Sequence, residues 1–206
     1  QLPAIFSHDK SLLPSTNIPS VIQNEKWAEF IAHLSQFSEM SLQYTIEIMN
    51  ILKESGPKNG GKATLLAGLG RCLVHEGDLI KGAKLLGEAS SLILNDDLHT
   101  KALVLLEMSS FLAITGQYDL ALMLLDRIPP VKSEYLLNLK NYYSLVIQTR
   151  NGDYSLVKEL IKSAKYFHGI NEQATLAYHY KNIGNTFRKM NQYDYTEDYY
   201  KMALSI

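Results

Sequence analysis

GQYDLALMLLDRI, residues 116 to 128, sets a small residue, an amide, an aromatic and an acid ahead of an apolar stripe. NQYDYTEDYYKMA, residues 191 to 203, restates the phrase near the C-terminus. Two further copies open at Gly77 (GDLIKGAKLLGEA) and Gly152 (GDYSLVKELIKSA), so Gly77, Gly116, Gly152 and Asn191 stand 39, 36 and 39 residues apart. Apolar residues at a spacing of about 3.6 flank every opening on both sides, which predicts a helix of about four turns before each and another after it. Glycine or asparagine suits such a joint, because the first helix can end there with a positive φ at little steric cost.

The residues around the joints give the pairs of helices a reason to stack. Seven positions before the joint stand Gly70, Ser109 and Gly184, with Leu145 as the exception, and twelve after it stand Ala89, Ile128, Ala164 and Ala203. Small side chains let two helix backbones approach closely. Leu73, Leu112 and Phe187, four before the joint, and Leu86, Leu125, Ile161 and Tyr200, nine after it, are sized to fill the space between neighbouring hairpins. A lone hairpin leaves one apolar face bare, and stacking in series buries it.

The rest of the chain fits an all-α plan. Pro3, Pro14 and Pro19 make residues 1 to 19 an extended arm. Trp27, Phe30, Ile31 and Leu34 then share one helical face, and Leu42, Ile46, Met49 and Leu52 form a second stripe, so 20 to 54 reads as a helical hairpin. SGPKNGG at 55 to 61 ends it with turn-forming residues. Further hairpins are expected near 63 to 94, 98 to 128, 134 to 167 and 172 to 206, about ten helices in all.

Leu69-Gly70 with Leu73, Gly77, Leu86 and Ala89, and Ile183-Gly184 with Phe187, Tyr193, Tyr200 and Ala203, resemble the tetratricopeptide repeat (TPR). The resemblance covers roughly 63 to 206, with 20 to 54 as a degenerate repeat. It implies a right-handed superhelix of antiparallel hairpins whose first helices line a concave groove. The spacing exceeds the family's usual 34 residues, which implies longer helices or loops and is similar to TPR arrays of bacterial signalling proteins, including sensor-kinase ectodomains and peptide-responsive regulators. The third copy lacks the small residue at Leu145, and Pro129-Pro130 closes the second abruptly.

Composition narrows the function. With 20 Lys+Arg against 21 Asp+Glu, and both signs interspersed, no field draws this segment to nucleic acid. No apolar run approaches the roughly 20 residues of a membrane-spanning helix. The single cysteine, Cys72, rules out an internal disulfide framework and reads as a buried structural thiol beside Leu69 and Leu73. The chain opens with Gln1, as removal of a signal or excision from a longer protein would leave it, so the compartment is open between extracytoplasmic and cytoplasmic.

Nothing nominates catalysis. His75-Glu76 lacks the second histidine of a helical zinc motif, Asp96-Asp97-Leu98-His99 is expected in a loop between helices, and GPKNGGKAT lacks the spacing of a phosphate loop. No cofactor or metal is expected. The expected function is a non-catalytic scaffold, the sensory or docking part of a larger signalling or regulatory protein, which takes a protein or peptide segment in the groove. Counting from the joints, the groove residues are Arg71, Ser110, Tyr142, Tyr178, Lys181, Asn185 and Arg188, with His75 and Val146 also inward. Lys181-Asn182-Ile183-Gly184-Asn185 matches the K-x-x-G-N of the first repeat of a carboxylate clamp, whose other members come from two following repeats. A permanent assembly module, or an enzyme with its site beside the arm or in a further domain, is the alternative. Tyr195 and Tyr199 are expected near the surface, where a further repeat or a homodimer through the C-terminal helix would cover them.

Overall fold

A computed structural model describes residues 60–75, 77–93, 97–171 and 173–206; the arm expected over 1–19 and the hairpin expected over 20–54 lie outside the described residues. Among the described residues the chain is all-helical, in a repeat-like arrangement. The α-helices are α1 (Gly60–His75), α2 (Leu79–Ser91), α3 (Leu98–Ile114), α4 (Tyr118–Asp126), α5 (Glu134–Arg150), α6 (Val157–Gly169), α7 (Gln173–Lys189) and α8 (Tyr193–Leu204), with one 3-10 turn at Tyr154–Leu156 ahead of α6.

The four joints are built alike. Gly77, Gly116, Gly152 and Asn191 take φ of 94°, 82°, 110° and 59°. At each, two backbone bonds close the end of the first helix. The joint N–H bonds three residues back, as Gly77 N to Val74 O at 3.1 Å, and the next N–H bonds five back, as Asp78 N to Leu73 O at 2.9 Å. The same pair recurs at Gly116–Gln117, Gly152–Asp153 and Asn191–Gln192. This left-handed cap satisfies carbonyls that the helix end leaves open. Asp78 then caps α2 by accepting from Lys81 N, and Asp97 and Ser133 cap α3 and α5 in the same way.

Small residues set how closely the two helices of a pair can cross. A Cβ on Gly70 would sit 3.0 Å from Leu86 Cγ, and one on Gly82 only 2.4 Å from Val74 Cγ2 and 2.9 Å from the Gly70 carbonyl oxygen. In the next pair Ser109 Oγ donates to the Ala121 carbonyl at 3.0 Å, fully buried. In the last pair a Cβ on Gly184 would meet the Tyr200 ring at 2.7 Å. Helices pack on their neighbours along the chain, and each first helix also touches the next first helix. α3 lies among α1, α2, α4 and α5, and its buried set of Ala102, Leu103, Val104 and Leu106 is shared between two hydrophobic clusters of the described residues.

Several boundaries differ from expectation. α1 starts at Gly60, inside the expected break. The second helices are shorter than four turns, most of all α4 with 9 residues, because Ile128 precedes Pro129-Pro130 and cannot easily stay helical. First helices of 16 or 17 residues account for part of the long repeat spacing. His99 lies in the first turn of α3, not in a loop, since Asp97 starts that helix.

Candidate functional site

Four first helices converge on one cluster. Arg71 of α1 donates from Nη1 to Glu107 Oε1 of α3 at 3.1 Å, and the two form an ion pair with side chains 19% and 3% exposed. The Arg71 charge also acts on Tyr135 and Tyr143 of α5 and on Tyr178 of α7. Burial pushes the Glu107 carboxyl upward, and the neighbouring guanidinium pulls it back only in part. Tyr143 is raised well above a normal phenol by burial first and by the Glu107 charge second. Glu107 Oε2 is buried with no hydrogen-bond partner.

A second polar layer joins α5, α6 and α7. Asn182 Nδ2 donates to the Tyr142 hydroxyl at 2.7 Å, and its Oδ1 accepts from Arg150 Nη2 at 3.1 Å. Tyr142 stacks on His179 with ring centroids 3.4 Å apart. His179 donates from Nδ1 to the Thr175 carbonyl at 2.9 Å, which leaves Nε2 to accept from Ser163 Oγ at 3.1 Å. Ser163 has a second acceptor in the Leu160 carbonyl at 2.8 Å, so its single proton is contested. Burial lowers the imidazole to about 4, the Thr175 bond opposing it.

The residues expected in the groove fall into two groups. Tyr178, Lys181, Asn185 and Arg188 form one stripe along α7, at i, i+3, i+7 and i+10. Lys181 and Arg188 are exposed and form no ion pair among the described residues. Lys181 Nζ stands 5.9 Å from the Tyr178 ring centroid, inside the range of a cation–π contact. Asn185 Oδ1 is engaged, accepting from the Tyr200 hydroxyl at 2.6 Å. Arg71 sits in the ion pair, and Ser110 and Val146 are half-buried and buried respectively. Tyr142 is 3% exposed, a core residue facing His179; its neighbour Tyr143 is the one facing Arg71 and Glu107. The side chain of His75 lies outside the described residues.

Sequence reasoning missed Glu107, Tyr143 and Asn182. All three stand nine residues before a joint, and that shared offset was the signal that could have found them. Cys72, expected to be buried, is half-buried. Among the described residues no group of three or more His, Cys, Asp or Glu is placed to hold a metal ion, and no helix is long and apolar enough to cross a membrane. No family model, curated protein or solved structure matches the chain.

Proposed function

We propose that the chain is a non-catalytic binding scaffold, a TPR-like α-solenoid in which hairpins stack in a right-handed superhelix and the first helices offer a working face to a protein or peptide segment. Counting the hairpin expected over 20–54, the array has about ten helices. Four joints of one geometry and packing between successive helices support the stacking. The function rests on one observation, the α7 stripe of Tyr178, Lys181, Asn185 and Arg188, with two exposed cations that form no ion pair among the described residues and a half-buried ring beside them. Unpaired cations beside an aromatic suit an acidic or carboxylate-terminated peptide segment. In this reading the chain serves as the sensory or docking portion of a larger signalling or regulatory protein.

The test is an array of acidic, neutral and basic peptides probed with the wild-type chain and with Lys181→Ala/Arg188→Ala. Acidic segments should bind the wild type and lose most of that binding in the double variant, while a Lys84→Ala/Lys158→Ala control, with exposed cations on second helices, should not change. Equal binding by both would remove the assignment of the stripe.

A further inference from the structure

Among the described residues, three of the four second helices have one face covered by the next hairpin, and the fourth has the corresponding face open. Eight, twelve and fifteen residues after the joint stand Leu85, Ala89 and Leu92 in α2 and just beyond it, Leu124, Ile128 and Val131 around α4, and Leu160, Ala164 and Phe167 in α6. Each row is buried or half-buried, and the first helix of the following hairpin packs against each of those second helices. Phe167, at the fifteenth place, is 0% exposed. The corresponding row of α8 is Tyr199, Ala203 and Ile206, with Tyr195 and Met202 on the same stripe. There Ile206 is 44% exposed, Met202 40% and Tyr195 57%. The backing of the row is already in place, since Tyr195 and Tyr199 stack on Phe187 of α7 at 5.1 and 5.5 Å.

Charge says what kind of helix completes it. Asp194 and Asp198 border the stripe along its solvent edge, and neither forms an ion pair among the described residues; Lys201 is held by Glu197 at 2.6 Å. A second copy of α8 would bring two acid-edged rows together, which like-charge repulsion opposes. The equivalent face of α6 is covered by α7, an amphipathic helix with Leu176, His179 and Ile183 buried and with Lys181, Arg188 and Lys189 among its polar residues. His179 even reaches Ser163, eleven after the joint, the place Met202 holds in α8.

We propose that the Tyr195–Tyr199–Met202–Ile206 stripe of α8 docks an amphipathic helix of a partner, aliphatic along the contact and basic where it passes Asp194 and Asp198. This rests on the stacking reading above and is independent of the peptide-binding stripe on α7. The occupant continues an interface the chain already makes three times, and its chemistry is that of a first helix.

A 17-residue peptide with the sequence of 173–189, the segment that covers α6, serves as the probe in a fluorescence-anisotropy titration of the full chain. Saturable binding is expected. Met202→Asp and Ile206→Asp should each weaken it about tenfold or more, because a carboxylate would be buried in the contact. Leu204→Asp, at a site 87% exposed on another face of α8, should leave it unchanged. A peptide with Lys181→Glu, Arg188→Glu and Lys189→Glu should also bind about tenfold more weakly. The Lys181→Ala/Arg188→Ala chain should bind the peptide as the wild type does, which separates this surface from the α7 stripe. No saturable binding, or equal binding by Ile206→Asp, would overturn the proposal. A wild-type dimer that Ile206→Asp dissociates would overturn it too, by giving the face to a second copy.

Discussion

Gly82 and Gly87 lie on one helix, five residues apart, under opposite demands. A methyl group on Gly82 would run into Val74 Cγ2 at 2.4 Å and into the Gly70 carbonyl, a backbone atom that cannot turn aside, whereas nothing lies within 4 Å of a Cβ on Gly87. Gly82→Ala should therefore destabilise the fold by about 1–3 kcal/mol through overpacking. Gly87→Ala should stabilise it by about 0.5–1 kcal/mol by removing backbone freedom from the unfolded chain. Urea unfolding of the two variants checks both signs. Much of this scale was legible in the sequence. Positive φ favours Gly or Asn at a joint, so Gly77, Gly116, Gly152 and Asn191 could be picked out by residue type together with the repeat spacing. Gly70 and Gly184 announced close crossings for the same kind of reason. Tyr142 and Tyr143 show the limit: adjacent helix positions diverge by about 100°, and two tyrosines in a row carry no mark of which one faces the core.

Between elements, polar groups do work that periodicity does not reveal. Arg71 and Glu107 tie α1 to α3 across 36 residues of sequence. Arg71→Met alone should cost about 3–5 kcal/mol near neutral pH, because it strands a buried carboxylate. Arg71→Met/Glu107→Leu should recover most of that, and chemical unfolding of the single and double variants measures the difference. His179 holds α6, α7 and Tyr142 together as a neutral ring. Its folded value of about 4 lies below the ordinary 6.5, so the native state binds fewer protons than the unfolded chain between those two values. Stability from this group is therefore whole above pH 6.5 and declines as pH falls toward 4, by roughly 3 kcal/mol in all. Unfolding free energies at pH 7.5, 5.5 and 4.5 should show that decline, and His179→Gln should flatten it. Glu107 carried only its shared offset from the joint, and the contacts of His179 with Ser163 and Tyr142 were not legible beforehand, since those partners lie on other helices that its own repeat does not name.

For the molecule as a whole, most packing runs between successive elements, so crossings that share no contact respond independently. The crossings at Gly82 and Gly184 belong to the first and last described hairpins. Gly82→Ala and Gly184→Ala should then destabilise additively, within about 0.5 kcal/mol of the sum, as comparison of the double variant with the singles would show. At this scale the sequence revealed the all-helical class and the order of the hairpins, because repetition needs no knowledge of contacts. It did not reveal how far the first helices converge. Arg71 feels Tyr178, three hairpins along the chain, and no local pattern encodes that approach. The matching caps at the four joints carry a further lesson for anyone recombining this chain. They are the same backbone device and so resemble natural splice points, yet a cut there would part the two sides of a crossing and marry the Leu145 segment to a partner such as Gly82, whose backbone tolerates no bulk. Whole hairpins are the exchangeable cassettes, and the seams that follow α2, α4 and α6 are where modular growth or trimming would keep the steric match inside each hairpin intact.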